Sequence, residues 1–166
     1  LAYGGAGDWK VSKGEDRYRR SLYTFSKRTA PFAAYLTFDG PTGESCLPQR
    51  DRSNTPLQAL TLLNDPMFHE AAEALARQAG SGQGAARVEP GGVIEVIFRR
   101  VLTRPPTTVE KAEFVEYYEK QRTRLAAGEL KTEMIMGDNT LATPELSAWK
   151  MVARVLLNLN DAITRG

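Results

Sequence analysis

The chain has 166 residues, enough for one domain with a real core. A hydrophobic fraction of 42% and a charged fraction of 25% are those of an ordinary globular protein. The net charge of +2 is too small to point to nucleic acid as a partner, and no apolar run approaches the ~20 residues that cross a bilayer.

The N-terminal stretch LAYGGAGDWK carries neither the basic nor the apolar region of a signal peptide, and it lacks an initiator Met. That fits a fragment, a processed product or a trimmed chain. Residues 1–16 are glycine-rich without periodicity and read as an irregular arm. From Arg17 to Thr29, Tyr18, Leu22 and Phe25 recur at helical spacing among basic residues, and Pro31 ends the pattern. This basic stretch reads as a solvated amphipathic helix, with contact to an anionic polymer as the alternative. FAAYLTF (32–38) fits an extended segment or a short helix, and DGPTGESCLPQRD (39–51) is a loop. A single cysteine, Cys46, excludes an internal disulfide, a zinc ribbon and a CxxCH haem attachment. It reads as a small, partly buried residue rather than a reactive thiol.

Helix signals are sharpest at RSNTPLQALTLLNDP (52–66). Thr55 is the N-cap and Pro56 the first helical residue, with Leu57, Leu60, Leu63 and Ala59 as the apolar stripe. Asp65 and Pro66 repeat that signature and launch a second helix with Phe68, Ala72, Leu75 and Ala79 on one face, so the chain turns sharply at Asn64–Asp65. Residues 80–92 read as a flexible linker. In VIEVIFRRVL, Ile94, Ile97, Phe98 and Val101 fit the helical template in spite of the β-branched content. Thr107 and Glu110 form a capping box for the next helix, which Gly128 stops. Residues 129–143 are mixed and read as loop. Thr143 and Pro144 open a long helix running to about Arg165. Its buried stripe is Leu146, Trp149, Val152, Leu156, Leu159 and Ile163, with Lys150, Arg154, Asn158 and Asp161 on the other side. The sum is a mainly α protein, an irregular helical bundle of about five or six helices with long loops, in a single domain spanning 1–166.

Chemistry is sparse. His69 is the sole histidine, and no GxSxG elbow accompanies it. With Glu73 at i, i+4 it could offer two metal ligands on one face, but the pair reads as a solvated histidine beside a carboxylate and no metal site is assigned. FDG (38–40) and GDN (137–139) read as turns rather than calcium loops, and GSGQGAAR lacks the Lys-Ser/Thr of a phosphate loop.

Five blocks occur in a particular order: DRYRRSLYTFSKRT, FDGPTGESC, RSNTPLQALTLLNDP, LTRPPTTVE and AWKMVARVLLNLNDAITR. Together, from about Asp16 to Arg165, they resemble the C-terminal part of planctomycete-specific domain 1, a domain of unknown function. Ser26 stands where the family usually has Trp. The resemblance implies a portion of a larger exported protein, extracytoplasmic and associated with redox or polysaccharide-degrading systems. Haem would sit only in a separate cytochrome-c-like module, with no cofactor in this chain. The absent remainder of such a protein would leave surfaces for its other domains or for self-association. Polar positions matched to the family are Arg19, Arg20, Arg50, Arg52, Asn54, Thr55, Asn64, Asp65, Arg154 and Asn158. They serve either as caps and carbonyl ligands or as an anion- or sugar-binding cleft. Arg50, Arg52, Asn54, Asn64, Arg154 and Asn158 are the binding candidates.

Two functions follow as expectations. One is a non-catalytic helical interaction module. The alternative is a small metal-assisted hydrolase of an ester or lactone, using His69 with carboxylates such as Glu73, Asp65, Glu70 or Asp39.

Overall fold

The computed structural model describes residues 12–23, 31–41, 46, 48–49, 52–80, 89–137 and 142–164. Among these residues the chain forms α-helices and 3-10 turns and no strand, so it is mainly α, as its periodicity predicts. It divides into two compact units, Leu1–Arg50 and Asp51–Gly166.

In the first unit two 3-10 turns, Gly14–Tyr18 and Ser21–Tyr23, stand where one amphipathic helix was expected, and the first of them begins inside the expected arm. Arg19, extended at φ −68° and ψ 141°, separates them. Tyr18 and Leu22 are 65% and 80% exposed. A helix this short is not stable without an apolar surface to pack on, and this stripe has none among the described residues. Phe25 lies outside the described residues. Helix α1 (Ala33–Thr37) resolves FAAYLTF as helical. It ends in the expected turn: Asp39 takes a left-handed φ of 57°, and the Gly40 amide donates to the Tyr35 carbonyl at 2.6 Å. A Cβ on Gly40 would meet that carbonyl oxygen at 2.5 Å, so only glycine fits. Cys46 is exposed rather than partly buried.

The second unit holds the core. Helices α2 (Pro56–Asn64) and α3 (Pro66–Gly80) meet at Asp65, whose extended backbone (φ −71°, ψ 131°) makes the predicted corner. Helix α4 (Pro90–Leu102) starts inside the stretch read as linker, since proline is tolerated in a helix's first turn; residues 81–88 lie outside the described ones. Helix α5 (Thr108–Ala126) has the expected capping box, with the Glu110 amide donating to Thr107 Oγ1 and the Thr107 amide to Glu110. Gly128 (φ 75°) ends it in a Schellman motif: the Gly128 amide donates to Leu125 and the Glu129 amide to Arg124. A short helix, α6 (Thr132–Met136), replaces the expected loop, anchored by buried Met136. Helix α7 (Pro144–Leu157) opens on Thr143, which accepts from the Leu146 amide. It stops at Asn158 rather than near Arg165. Leu159 is extended, and α8 (Asn160–Ile163) follows as a separate turn, because two asparagines flank the break.

Ile94, Ile97 and Phe98 of α4, Tyr118 and Leu125 of α5, and Trp149, Val152 and Leu156 of α7 form the centre of the core. Trp149 stacks on Tyr118 with ring centroids 3.8 Å apart, and Phe98 meets Phe114 edge-on at 5.2 Å. Each such side chain contributes about 1.5–3 kcal/mol when fully buried. Among the described residues, helix α3 adds Ala76 to this cluster, and Ala72 is also fully buried. Small buried side chains let α3 lie close along α7, so this contact buries little apolar area per residue.

The stripe expected on α2 is rotated. Leu57 and Leu60 are 59% and 56% exposed, while Gln58 and Leu62 are buried. Gln58 completes a capping box with Thr55 and also donates from Nε2 to Ser53 Oγ at 3.0 Å. These bonds pin Gln58 inward, and the leucines on either side of it must face out.

Candidate functional site

The polar residues singled out by the sequence converge on the contact between α3 and α7. On α3, His69, Glu73 and Arg77 follow at i, i+4 and i+8. On α7, Lys150, Arg154 and Asn158 do the same. Four-residue spacing keeps each trio on one helix face. Contacts between the two rows run in opposite directions. Arg154 reaches the end of α2, just before α3 begins, donating from Nη2 to the Leu63 carbonyl at 2.8 Å. Lys150 reaches one turn further along, where Nζ donates to Glu73 Oε2 at 3.0 Å. The other oxygen of Glu73 accepts from Arg77 at 2.6 Å.

His69 Nε2 lies 2.8 Å from the Leu63 carbonyl oxygen, which also accepts from Arg154. A carbonyl only accepts, so Nε2 carries the proton. Leu63 is in the last turn of α2, where carbonyls lack helical partners, and this one receives two donors. His69 is thus half-buried and bonded across the corner, not a solvated surface residue. Burial and the nearby Arg154 charge hold its pKa below the ordinary 6.5, against the opposing bond to Leu63. Burial would raise Glu73, but Lys150 and Arg77 together outweigh it and hold its carboxyl below the usual range.

Lys150 was read as lining the outer side of its helix, yet it is buried, with 4% of its side chain exposed. Helix α7 therefore has two inward faces, one apolar and one polar. A lysine so placed is retained only with an anion beside it, and Glu73 is that anion. The signal was present in the sequence as two rows of matching spacing and complementary charge. Seventy-seven residues separate the partners, and periodicity within either helix does not link them.

The remaining candidates take structural places. Asp65 Oδ1 accepts from the Met67 amide at 2.8 Å, capping α3. Asn64 Nδ2 donates back to the Leu60 carbonyl at 2.8 Å. Asn54 Nδ2 donates to Asn160 Oδ1 at 2.9 Å, tying the approach to α2 onto α8. Asn158 caps α7 with its amide on the Val155 carbonyl. Arg52 is exposed, and Arg50 lies outside the described residues. In the first unit Arg19 pairs with Asp16 at 2.8 Å, and the Arg20 guanidinium lies 5.6 Å from the Tyr23 ring centre. Arg154 Nε, Asn158 Oδ1 and Ser147 Oγ are buried without a hydrogen-bond partner among the described residues.

No group of three or more His, Cys, Asp or Glu side chains that could hold a metal ion occurs among the described residues. A shallow depression on α5, lined by Glu116, Glu119, Lys120, Thr123, Arg124 and Glu129, shares no residue with the α3–α7 contact. Among the described residues no helix is long and apolar enough to cross a membrane.

Residues 3–118 match PSD1, a family described as protein of unknown function (DUF1553). The chain belongs to the PSD1 family. Neither curated proteins nor solved structures provide a match. The PSD1 span takes in α2, α3 and α4 and stops within α5 at Tyr118. His69 and Glu73 thus fall inside it, while their α7 partners Lys150 and Arg154 lie beyond it.

Proposed function

We propose that this PSD1 chain is a non-catalytic helical module of a larger exported protein, acting by docking rather than by chemistry. One observation carries the reading: the groups a hydrolytic site would use are engaged in holding helices together. His69 Nε2 donates to Leu63, Asp65 caps α3, and Glu73 is shared between Lys150 and Arg77. With Nε2 committed to Leu63, the lone pair of His69 is on Nδ1 alone. Docking is favoured by Leu57 and Leu60, one turn apart on α2 and both more than half exposed. Its partners are other domains of the parent protein or a second copy. The extracytoplasmic setting, the redox- or polysaccharide-associated parent and the haem module elsewhere in it rest on the family resemblance alone.

The test has two arms. Wild type and His69→Ala are assayed for bound metal and for turnover of an ester and lactone panel, and no His69-dependent turnover is expected. Turnover abolished in His69→Ala would overturn the reading. Titration of the chain with the remainder of its parent protein is expected to give stoichiometric binding that Leu57→Asp and Leu60→Asp weaken.

A further inference from the structure

The contact between α3 and α7 is asymmetric in charge. Glu73 is bracketed by Lys150 from α7 and Arg77 from its own helix, and Arg154 lies one turn from Lys150. The charged and titratable groups around it are His69, Glu70 and Arg77 on α3, Lys150 and Arg154 on α7, Asp65 at the end of α2, and Arg100 of α4, which reaches Gln78. Losing the Glu73 charge would leave Lys150 buried without its anion. Gaining a charge on His69 would add a further cation beside Arg154. Both changes come with falling pH, and both act on the same pair of helices.

The fully buried apolar side chains on the α3 side of this contact are small, Ala72 and Ala76. The central core joins α4, α5 and α7, and α3 contributes Ala76 to it. Arg154 Nε and Asn158 Oδ1 are buried and have no hydrogen-bond partner among the described residues. A segment with little buried apolar surface opens at lower free energy than the core beneath it. We propose that the α3–α7 contact is an acid-released latch: when His69 and Glu73 take up protons, α2 and α3 separate from α7 while α4, α5 and α7 stay packed.

The two groups act in sequence as pH falls. His69 titrates below 6.5 because burial and Arg154 disfavour the charged ring. Its neutral form therefore favours the closed state above pH 6.5, and that contribution drains away as pH drops from 6.5 toward the lower folded value. Glu73, held below 4.5 by Lys150 and Arg77 against its burial, contributes above pH 4.5 and is lost as pH falls through its own lower folded value. Release begins with the histidine and completes with the glutamate.

Amide hydrogen exchange on the full chain, corrected for intrinsic rates, tests this between about pH 7 and about pH 3.5. Protection in α2 and α3 is expected to fall by at least about ten-fold while interior amides of α4 and α5 keep theirs. Glu73→Gln mimics the protonated state and is expected to show lowered α2–α3 protection already at neutral pH. The paired replacement Lys150→Met with Glu73→Leu, combined with His69→Gln, is expected to remove the pH dependence. Concerted loss of protection in all helices, or full wild-type protection in Glu73→Gln at neutral pH, would overturn the latch.

Discussion

Arg154 and His69 share one acceptor, the Leu63 carbonyl, each at 2.8 Å. The carbonyl ends α2, the histidine begins α3 and the arginine comes from α7, so one oxygen joins three helices. Arg154→Ala is expected to destabilise by about 1.5–3 kcal/mol, the range for a charge-assisted bond. His69→Ala should cost less, because Arg154 still satisfies the carbonyl. The double variant should cost more than the two singles together, since only then is a helix-end carbonyl stripped of both donors. Urea midpoints of the four proteins measure that coupling, and strict additivity would count against a shared acceptor.

A second network lies where α5 begins. Arg104 grips Glu110 at 2.7 Å and Asp161 at 3.0 Å. Hydrogen bonding from Arg104, then from the Thr107 amide, lowers the Glu110 carboxyl to about 2. Its contribution is therefore complete above 4.5 and disappears as pH falls toward about 2. Because these side chains are partly exposed, solvent and salt screen them and the effect is modest. Thermal melts of wild type and Glu110→Gln should differ at neutral pH, converge near pH 2, and differ less in about 1 M salt. A gap independent of pH would assign the effect to packing instead.

Thr103, following α4, holds a left-handed φ of 56° although it is β-branched. That conformation disfavours side chains with a Cβ by roughly 1–2 kcal/mol. Thr103→Gly is expected to stabilise the chain by about 0.5–1 kcal/mol, the local relief exceeding the added freedom of the unfolded chain. A rise in urea midpoint with unchanged slope would show it.

What the sequence revealed of this fold is what neighbours decide among themselves. Thr55–Pro56, Asp65–Pro66, Thr107 with Glu110, and Thr143–Pro144 each mark a helix start within a few residues, and each is a start in the structure. Hidden were the choices made by distant partners. Lys150 looks solvent-facing until Glu73 is placed against it. Leu57 and Leu60 look like core until Gln58 is bonded inward. Tyr18 and Leu22 have helical spacing but stay exposed, and the spacing alone does not make a helix. The candidate site followed the same rule. His69 and Glu73 were visible as a pair, but what they bind came from another helix.

Stacked 3.8 Å from Tyr118, Trp149 gives the second unit a built-in optical probe. The chain has one other tryptophan, Trp9. Held in a rigid chiral setting between α5 and α7, the Trp149–Tyr118 pair should dominate the near-ultraviolet dichroism of its unit. That signal reports whether the heart of the bundle is intact.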